Sequence, residues 1–395
     1  MYGDKADVII VGGGLAGSAL AVSLARRDFD VLLLEAELEF RDRVRGEVLL
    51  PWGAAEARRL GIHDLLIQAG ARQLPYRDTY SGGELRSRRP FTEGANATEP
   101  PLSFAHASVQ EALITAAEES GTRVLRGARL QGLEQGCNPA VEYQAAGGVA
   151  RATAKLVVGA DGRTSRVRAM GGFEVNRAAG GLMTTGVALE GLVLEEDGVT
   201  AAVNLRTRDR AALLPQGGGR ARAYLTFRAD STPDGPPRSL PQLVGRMTGA
   251  GLPARIFANA KAVGPLATFD GTPRWADFPY REGVALVGDA ASTSDPAWGQ
   301  GMSLALRDVR VLVEELLRTP DLGEAAFSYA RQQTRYSVVN RIVTGLMTRA
   351  QFGEDPAAES LRSSDFWRRS ARSLQNVLLD GPDVELRQFL LPALK

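Results

Sequence analysis

The sequence predicts an α/β protein: a parallel-sheet dinucleotide-binding domain, an antiparallel-sheet domain and a helical C-terminal region. Three observations predict it. Short apolar runs at Val8–Val11, which is β-branched throughout, Val31–Leu34, Leu156–Val158 and Val284–Val287 read as buried parallel strands. The first, third and fourth of these runs end directly in glycine, as ligand-binding strand ends do. Residues 182–229 alternate apolar and polar side chains around glycine turns, the pattern of antiparallel strands.

Composition narrows the function. The 395 residues allow two or three domains. With 44% hydrophobic and 24% charged residues, the chain is neither disordered nor fibrous. A net charge of +1 supplies no field for nucleic acid or an anionic membrane. The single cysteine, Cys137, excludes an internal disulfide framework and a CxxC pair, and fits a cytoplasmic protein. His63 and His106 are the two histidines, too few for a multi-histidine metal site, and no metal is expected. His63, beside Gly61 and Asp64, reads as a surface or cap residue.

The elements follow in order. Residues 8–25 carry no charge, yet Gly12, Gly13, Gly14 and Gly17 interrupt the run, and no basic segment precedes it. It splits into a strand and a helix, Leu15–Arg27, rather than a membrane span. With Val31–Leu34 it makes a βαβ unit. A charged loop, Glu37–Glu47, leads to a helix from Pro51 to Leu60. Residues 72–101 read as strands and loops. Ser108–Glu119 is an amphipathic helix, with Ser108 as N-cap, Glu111 completing a capping box and Gly121 ending it. Thr232–Pro241 is a proline-rich loop. A helix spans about Gln300–Leu317, with Met302, Leu306, Val309, Val313 and Leu316 on one stripe. Residues 321–395 are mostly helical, with Phe366, Trp367, Leu374, Val377, Leu378, Phe389 and Leu390 enough to bury one face.

Gly12-x-Gly14-x-x-Gly17 between strand and helix, with Glu35 closing the next strand, is a Rossmann-type fingerprint. Gly12 permits the tight turn, Gly14 the close approach of a pyrophosphate, and Gly17 close helix–strand packing. The helix start at Leu15 and Ala16 offers free N–H groups and a positive dipole end. Glu35, followed by Ala36, can accept hydrogen bonds from a ribose diol. Asp289 ends a strand at the edge where α/β sheets bind ligands; a turn or N-cap aspartate is the plainer reading of it taken alone. Asp161-Gly162 can likewise be a type I′ turn.

Residues Gly159–Arg168 resemble the DG motif, and Gly288–Gly301 the GD motif, of group A flavoprotein monooxygenases, the para-hydroxybenzoate hydroxylase-like enzymes. Three motifs fall in that family's order over residues 1 to about 320. The resemblance implies FAD as cofactor and NADPH or NADH as transient donor. It implies that dioxygen reacts to give a flavin C4a-hydroperoxide that hydroxylates or epoxidises a small aromatic or polyketide-like substrate. The sites so implied are Gly12, Gly14, Leu15, Ala16, Gly17, Glu35, Ala36, Arg45, His106, Asp161, Gly288, Asp289, Gly301 and Met302 for FAD, and Pro296, Gly299, Gln300 and Gly301 for the chemistry. Glycines there let the backbone lie against a flat ring, and the helix start directs partial positive charge at it. Arg45 has a second reading as a solvated loop charge, and Trp298 either faces the ring or packs in its loop. The sequence departs from the family at Ser292, where many members carry histidine.

The implied architecture is a Rossmann-type FAD-binding domain (1–71, 102–175 and 278–320), an antiparallel-sheet substrate domain (72–101 and 176–277) and a helical C-terminal region (321–395). A second GxGxxG is missing, so no separate NAD domain is expected. Two other readings stay open: a flavin-dependent reductase of the geranylgeranyl reductase type, sharing an Arg45-Gly46-Glu47-like segment, and a non-redox sequestering protein. Partners are an organic substrate and dioxygen, with no nucleic acid and no membrane span; the sequence leaves the oligomeric state open.

Overall fold

A computed structural model describes residues 4–44, 46–93, 98–231 and 235–383. Four parallel strands form its centre, in the spatial order Val284–Leu286, Gly148–Gly159, Asp4–Val11, Val31–Glu35, with Arg123–Arg126 as a fifth at the edge. Their carboxyl ends are aligned by register: Leu34 pairs with Val11, Val11 with Gly159, and Gly159 with Leu286. All three glycine motifs therefore start from one edge of the sheet. Parallel sheets bury both faces, and here each has its own core. Helices Leu15–Ala25, His106–Glu119 and Gly301–Arg318 cover one side around Ile10, Leu33 and Val158. The hairpin strands Arg129–Glu134 and Ala140–Ala145, with Val167, cover the other around Ile9, Val157 and Leu286.

The second sheet runs Lys261–Ala262, Leu182–Glu190, Arg220–Arg228, Asp209–Gly217, Gly198–Asn204, Tyr76–Ser81, Glu84–Pro90, with Ala267–Asp270 also on Leu182–Glu190. It is antiparallel apart from one parallel pair, Gly198–Asn204 with Tyr76–Ser81. Its outer side packs Ala211, Leu213, Ala223 and Leu225 on Leu243 and Met247 of a helix, Leu240–Gly249. That helix begins inside the segment expected to be loop, because Ser239 caps it.

The C-terminal region holds helices Leu322–Phe352, Pro356–Ser363 and Asp365–Asp380. Leu374, Val377 and Leu378 are buried against Trp298 and Val343; Phe389 and Leu390 lie outside the described residues. No helix among the described residues is long and apolar enough to cross a membrane.

Several local expectations are corrected. The helix expected from Ser108 begins at His106 with Ala105 at the N-cap, and no side chain caps it. Glu111 binds instead the Phe40 N–H and Arg126, so the capping box does not form. The strand expected at Leu156–Val158 is the end of a twelve-residue strand. His63 is buried, 5% exposed, at the start of a short helix, within reach of Arg58 and Asp64.

Candidate functional site

The first glycine turn is fixed by contact. Gly12 adopts φ +103°, and a Cβ there would meet the Ala160 carbonyl oxygen at 2.6 Å. A Cβ on Gly17 would overlap the Gly12 carbonyl oxygen, so helix and turn touch through bare backbone. Gly14 differs: its nearest neighbour on that side is Gln110 Nε2 at 3.6 Å. The space before the helix start is therefore open, and no side chain caps the first turn at Leu15 and Ala16. The Glu35 carboxylate accepts the Gly13 N–H at 2.6 Å and the Glu37 N–H at 2.7 Å. These hold it at the mouth of the turn beside the half-buried Ala36.

The GD motif meets that turn. Gly288, at φ +60°, lies where a Cβ would be 3.3 Å from the Cβ atoms of Ala16 and Ala305. Its N–H donates to Asp308 Oδ2 at 2.8 Å. Asp308 is fully buried and also accepts the Tyr336 hydroxyl at 2.5 Å; burial pushes its carboxyl up to about 7. Asp289 is exposed between buried Gly288 and Ala290. A Cβ on Gly301 would lie 3.9 Å from Asp289 Oδ1, so this carboxylate stands beside the start of helix Gly301–Arg318. A buried strand end that turns out a single carboxylate, next to an uncapped helix start, is built to meet a ligand.

Before that helix, Pro296–Trp298 forms one 3₁₀ turn capped by Asp295, whose carboxylate accepts the Ala297 N–H at 2.9 Å. Gly299 then takes φ +65°. Trp298 packs in its loop: it is 6% exposed and donates its indole N–H to Thr348 at 2.8 Å. Gln300 points away from the site. Its amide oxygen accepts the Trp52 indole N–H at 3.2 Å, and its nitrogen donates to the carbonyls of Trp298 and Leu378. The Gln300 side chain anchors the loop to the C-terminal helices. Gly301 and Met302 are partly exposed at the helix start, with the Met302 side chain near Gly46.

Asp161 is committed to local structure. Its carboxylate accepts the N–H groups of Arg166 at 2.6 Å and Val167 at 3.1 Å and binds Ser165 Oγ. Gly162 is left-handed but Asp161 is not, so the turn is not type I′. The motif's long-range contact comes instead from buried Arg168, which donates to the carbonyls of Asp289, Ala290 and Arg163. It ties the DG and GD segments together.

The second sheet closes the site from the opposite side with an ion pair. Arg222, 2% exposed, donates through Nε and Nη2 to fully buried Glu47 at 2.7 and 2.9 Å and also pairs with Asp42. Glu47 further accepts Gln216 Nε2 at 2.8 Å and the His106 N–H at 3.3 Å. Burial pushes the Glu47 carboxyl up, against the pull of Arg222. The half-buried His106 ring lies 3.0 Å from the Gly46 carbonyl oxygen. Arg45 lies outside the described residues. Glu47, Arg222, Arg168 and Asp308 were not foreseen. The alternation of residues 220–228 was visible, but only register shows which face meets the loop at residue 47.

The arrangement fits FAD. It combines an open glycine turn before a free helix start, a carboxylate at the next strand end, an exposed aspartate, and a second glycine-flanked helix start. No cluster of metal-ligating side chains occurs among the described residues.

Comparison with known proteins agrees. A family model described as an FAD binding domain matches residues 5–326. The 3-demethoxyubiquinol 3-hydroxylase of Escherichia coli is 32% identical over 83% of this chain and 84% of its own length. The menaquinone reductase of Mycobacterium tuberculosis is 26% identical over 95% and 92%. The structure of p-nitrophenol 4-monooxygenase from Pseudomonas putida superposes with a TM-score of 0.73 at 21% identity, over 95% of this chain and 97% of that one. This chain belongs to the FAD-binding family of group A flavoprotein monooxygenases.

Proposed function

We propose that this chain inserts one atom of dioxygen into a small organic substrate, with NADPH or NADH as reductant. The balance is R–H + O2 + NAD(P)H + H+ to R–OH + H2O + NAD(P)+, or the corresponding epoxide. When bound, FAD supplies the two-electron chemistry that joins nicotinamide to oxygen. The protein's residues bind, orient and exclude water. The helix start at Leu15 and Ala16 would receive the pyrophosphate, Glu35 the ribose, and Asp289 a hydroxyl of the ribityl chain. The N–H groups at Gly301 and Met302 would lend the ring partial positive charge. Pro296 and Gly299 would line the same loop. The Glu47–Arg222 pair seals the opposite wall, and a dry wall protects reactive oxygen species from water. The substrate is aromatic or polyketide-like, and the setting is cytoplasmic, in keeping with the exposed free thiol of Cys137.

The observation that carries this reading is the exposed Asp289 beside the uncapped helix start at Gly301. The test is 18O2 incorporation by the FAD-loaded protein with NAD(P)H and a panel of phenols and hydroquinones. One labelled oxygen per product supports it. Likeness to a menaquinone reductase over nearly the full chain favours a second reading, reduction of a carbon–carbon double bond. Under that reading a saturated product forms without oxygen, and no label enters.

A further inference from the structure

Helix Leu322–Phe352 and the segment 292–301 are pinned together at two points. Ser337 Oγ and Ser292 Oγ lie 3.1 Å apart, and Thr348 Oγ1 accepts the Trp298 indole N–H at 2.8 Å. A groove of about 890 Å3 runs along the helix here. The segment 178–182, Pro273 and Trp275 form its other walls. Such a volume suits a small organic molecule. Leu182, Ile342 and Phe352 make the walls apolar, and Arg341 lies over the Trp275 ring at 4.4 Å. Gly345 sits inside the helix, where glycine is a poor choice. A Cβ there would meet nothing within 4 Å, so the bare backbone keeps the groove wide.

Two buried polar side chains on this groove have bonding capacity to spare. Asn340 is 5% exposed, and its side-chain amide makes no hydrogen bond among the described residues. Asp295 is 4% exposed. One of its carboxylate oxygens accepts the Ala297 N–H at 2.9 Å, and the other accepts nothing among the described residues. Asn340 follows Ser337 by about one helical turn, and Asp295 follows Ser292 by three residues, so both lie between the two pins. Burial pushes the Asp295 carboxyl up to about 6, as expected of a carboxylate short of donors. Buried polar groups left in this state are costly, and native proteins pair them. The charges on the walls cancel: Arg228, Arg341 and Arg349 stand against Asp230, Asp295 and Asp355. Arg228 pairs with Asp230 and Arg349 with Asp355. A balanced lining favours a neutral ligand over an anion such as the nicotinamide donor.

We propose that this groove binds an uncharged, largely apolar molecule bearing a hydroxyl group, whose O–H donates to the free oxygen of Asp295 while its body lies along Gly345. A hydroxyl gives the carboxylate its missing donor without bringing a second positive charge beside Arg341. Asn340 serves a further oxygen of the same ligand through its free amide. The site stands apart from the flavin cleft. None of its lining residues is assigned to FAD, and Trp298 stands between Arg210 of the second sheet, at 5.1 Å, and Thr348 of the groove.

Titration calorimetry of the FAD-loaded protein, without nicotinamide, tests this with four naphthalenes. They are 2-naphthol, its methyl ether, 2-naphthoate and 2-naphthylmethylammonium. The naphthol is expected to bind about tenfold more tightly than each of the others, as one hydrogen bond to a carboxylate allows. Asp295→Asn should erase that preference. Gly345→Phe fills the groove from its floor, and Asn340→Leu removes the free amide. Each should weaken naphthol binding about tenfold, with flavin content held and Tm held or raised. If Asp295→Asn does not fold, the wild-type preference and the two groove variants decide. Naphthol bound equally well by both groove variants sits elsewhere, in the flavin cleft, and overturns the proposal. So does no binding by folded protein, a tighter hold on the ether or either ion, or a preference that survives Asp295→Asn. Protein purified without FAD overturns the flavin reading alone, and the same titration then decides this site.

Discussion

Arg222→Met is the sharpest perturbation of the site's far wall. It removes both donations to Glu47, at 2.7 and 2.9 Å, while keeping most of the side-chain volume. Glu47 is fully buried, and its remaining partners are Gln216 and the His106 N–H. Breaking one half of a buried ion pair leaves an uncompensated charge and costs about 3–5 kcal/mol. Glu47→Gln with Arg222→Met removes both charges together. It should recover at least half of that loss, since neutral replacement of a buried pair is often tolerated. Burial already pushes the Glu47 carboxyl up, and losing Arg222 pushes it further. The defect of Arg222→Met should therefore shrink as the pH falls and Glu47 takes a proton. Urea denaturation at pH 5.5 and pH 8 measures the wild type, Arg222→Met, Glu47→Gln and the double variant, with midpoints converted through a common slope. A loss under about 1 kcal/mol for Arg222→Met, or a double variant as unstable as the sum of the singles, would refute a pair held by mutual compensation.

Three further outcomes follow from the geometry. Gly17→Ala forces a Cβ onto the Gly12 carbonyl oxygen, so flavin content after purification should fall to near zero or the protein should fail to fold. Asp289→Ala should weaken FAD retention at least tenfold, about 1.4 kcal/mol, with little change in the apoprotein's Tm because the carboxylate is exposed. Dialysis against potassium bromide followed by thermal scanning separates the two effects. Asp308 has a folded-state pKa near 7 against an unfolded value of 3.8. The folded protein thus binds its proton more tightly, and this contribution to stability is complete below pH 3.8 and lost as the pH rises through 7. Asp308→Asn should flatten the stability–pH curve between pH 5 and pH 8, by up to about 1.4 kcal/mol per pH unit. Parallel curves for the two proteins would show that Asp308 is not the titrating group.

The parallel half of the fold was legible because its signals are local. Val8–Val11 is a β-branched run and Val284–Val287 an apolar one, and Gly12 and Gly17 sit at contacts only glycine permits. The far wall of the site was not legible. Glu47 and Arg222 are 175 residues apart, and nothing near either position distinguishes them from solvated charges. The partners of Gln300 were hidden for a related reason: it sits between two glycines, and its amide is fixed by Trp52 and Leu378, elements that join it only through tertiary packing. The protein partners of the Asp161 carboxylate, the N–H groups of Arg166 and Val167, lie close by in sequence, a local pattern that aspartate commonly makes.

The alignment of Val11, Gly159 and Leu286 along one sheet edge has a consequence for synthesis. Asp289 and Gly301 emerge some 270 residues or more after the Gly12–Gly17 turn. Among the described residues, strand Val284–Leu286 pairs with Gly148–Gly159 and its own hairpin neighbour. Such distant pairings form slowly. During that interval the growing chain displays a finished glycine turn and an unfinished ring site, and flavin supply in the cell sets how long it waits. Ribosome-bound chains stalled near residue 280 should hold FAD poorly, and chains extended past the Tyr336 contact should hold it well.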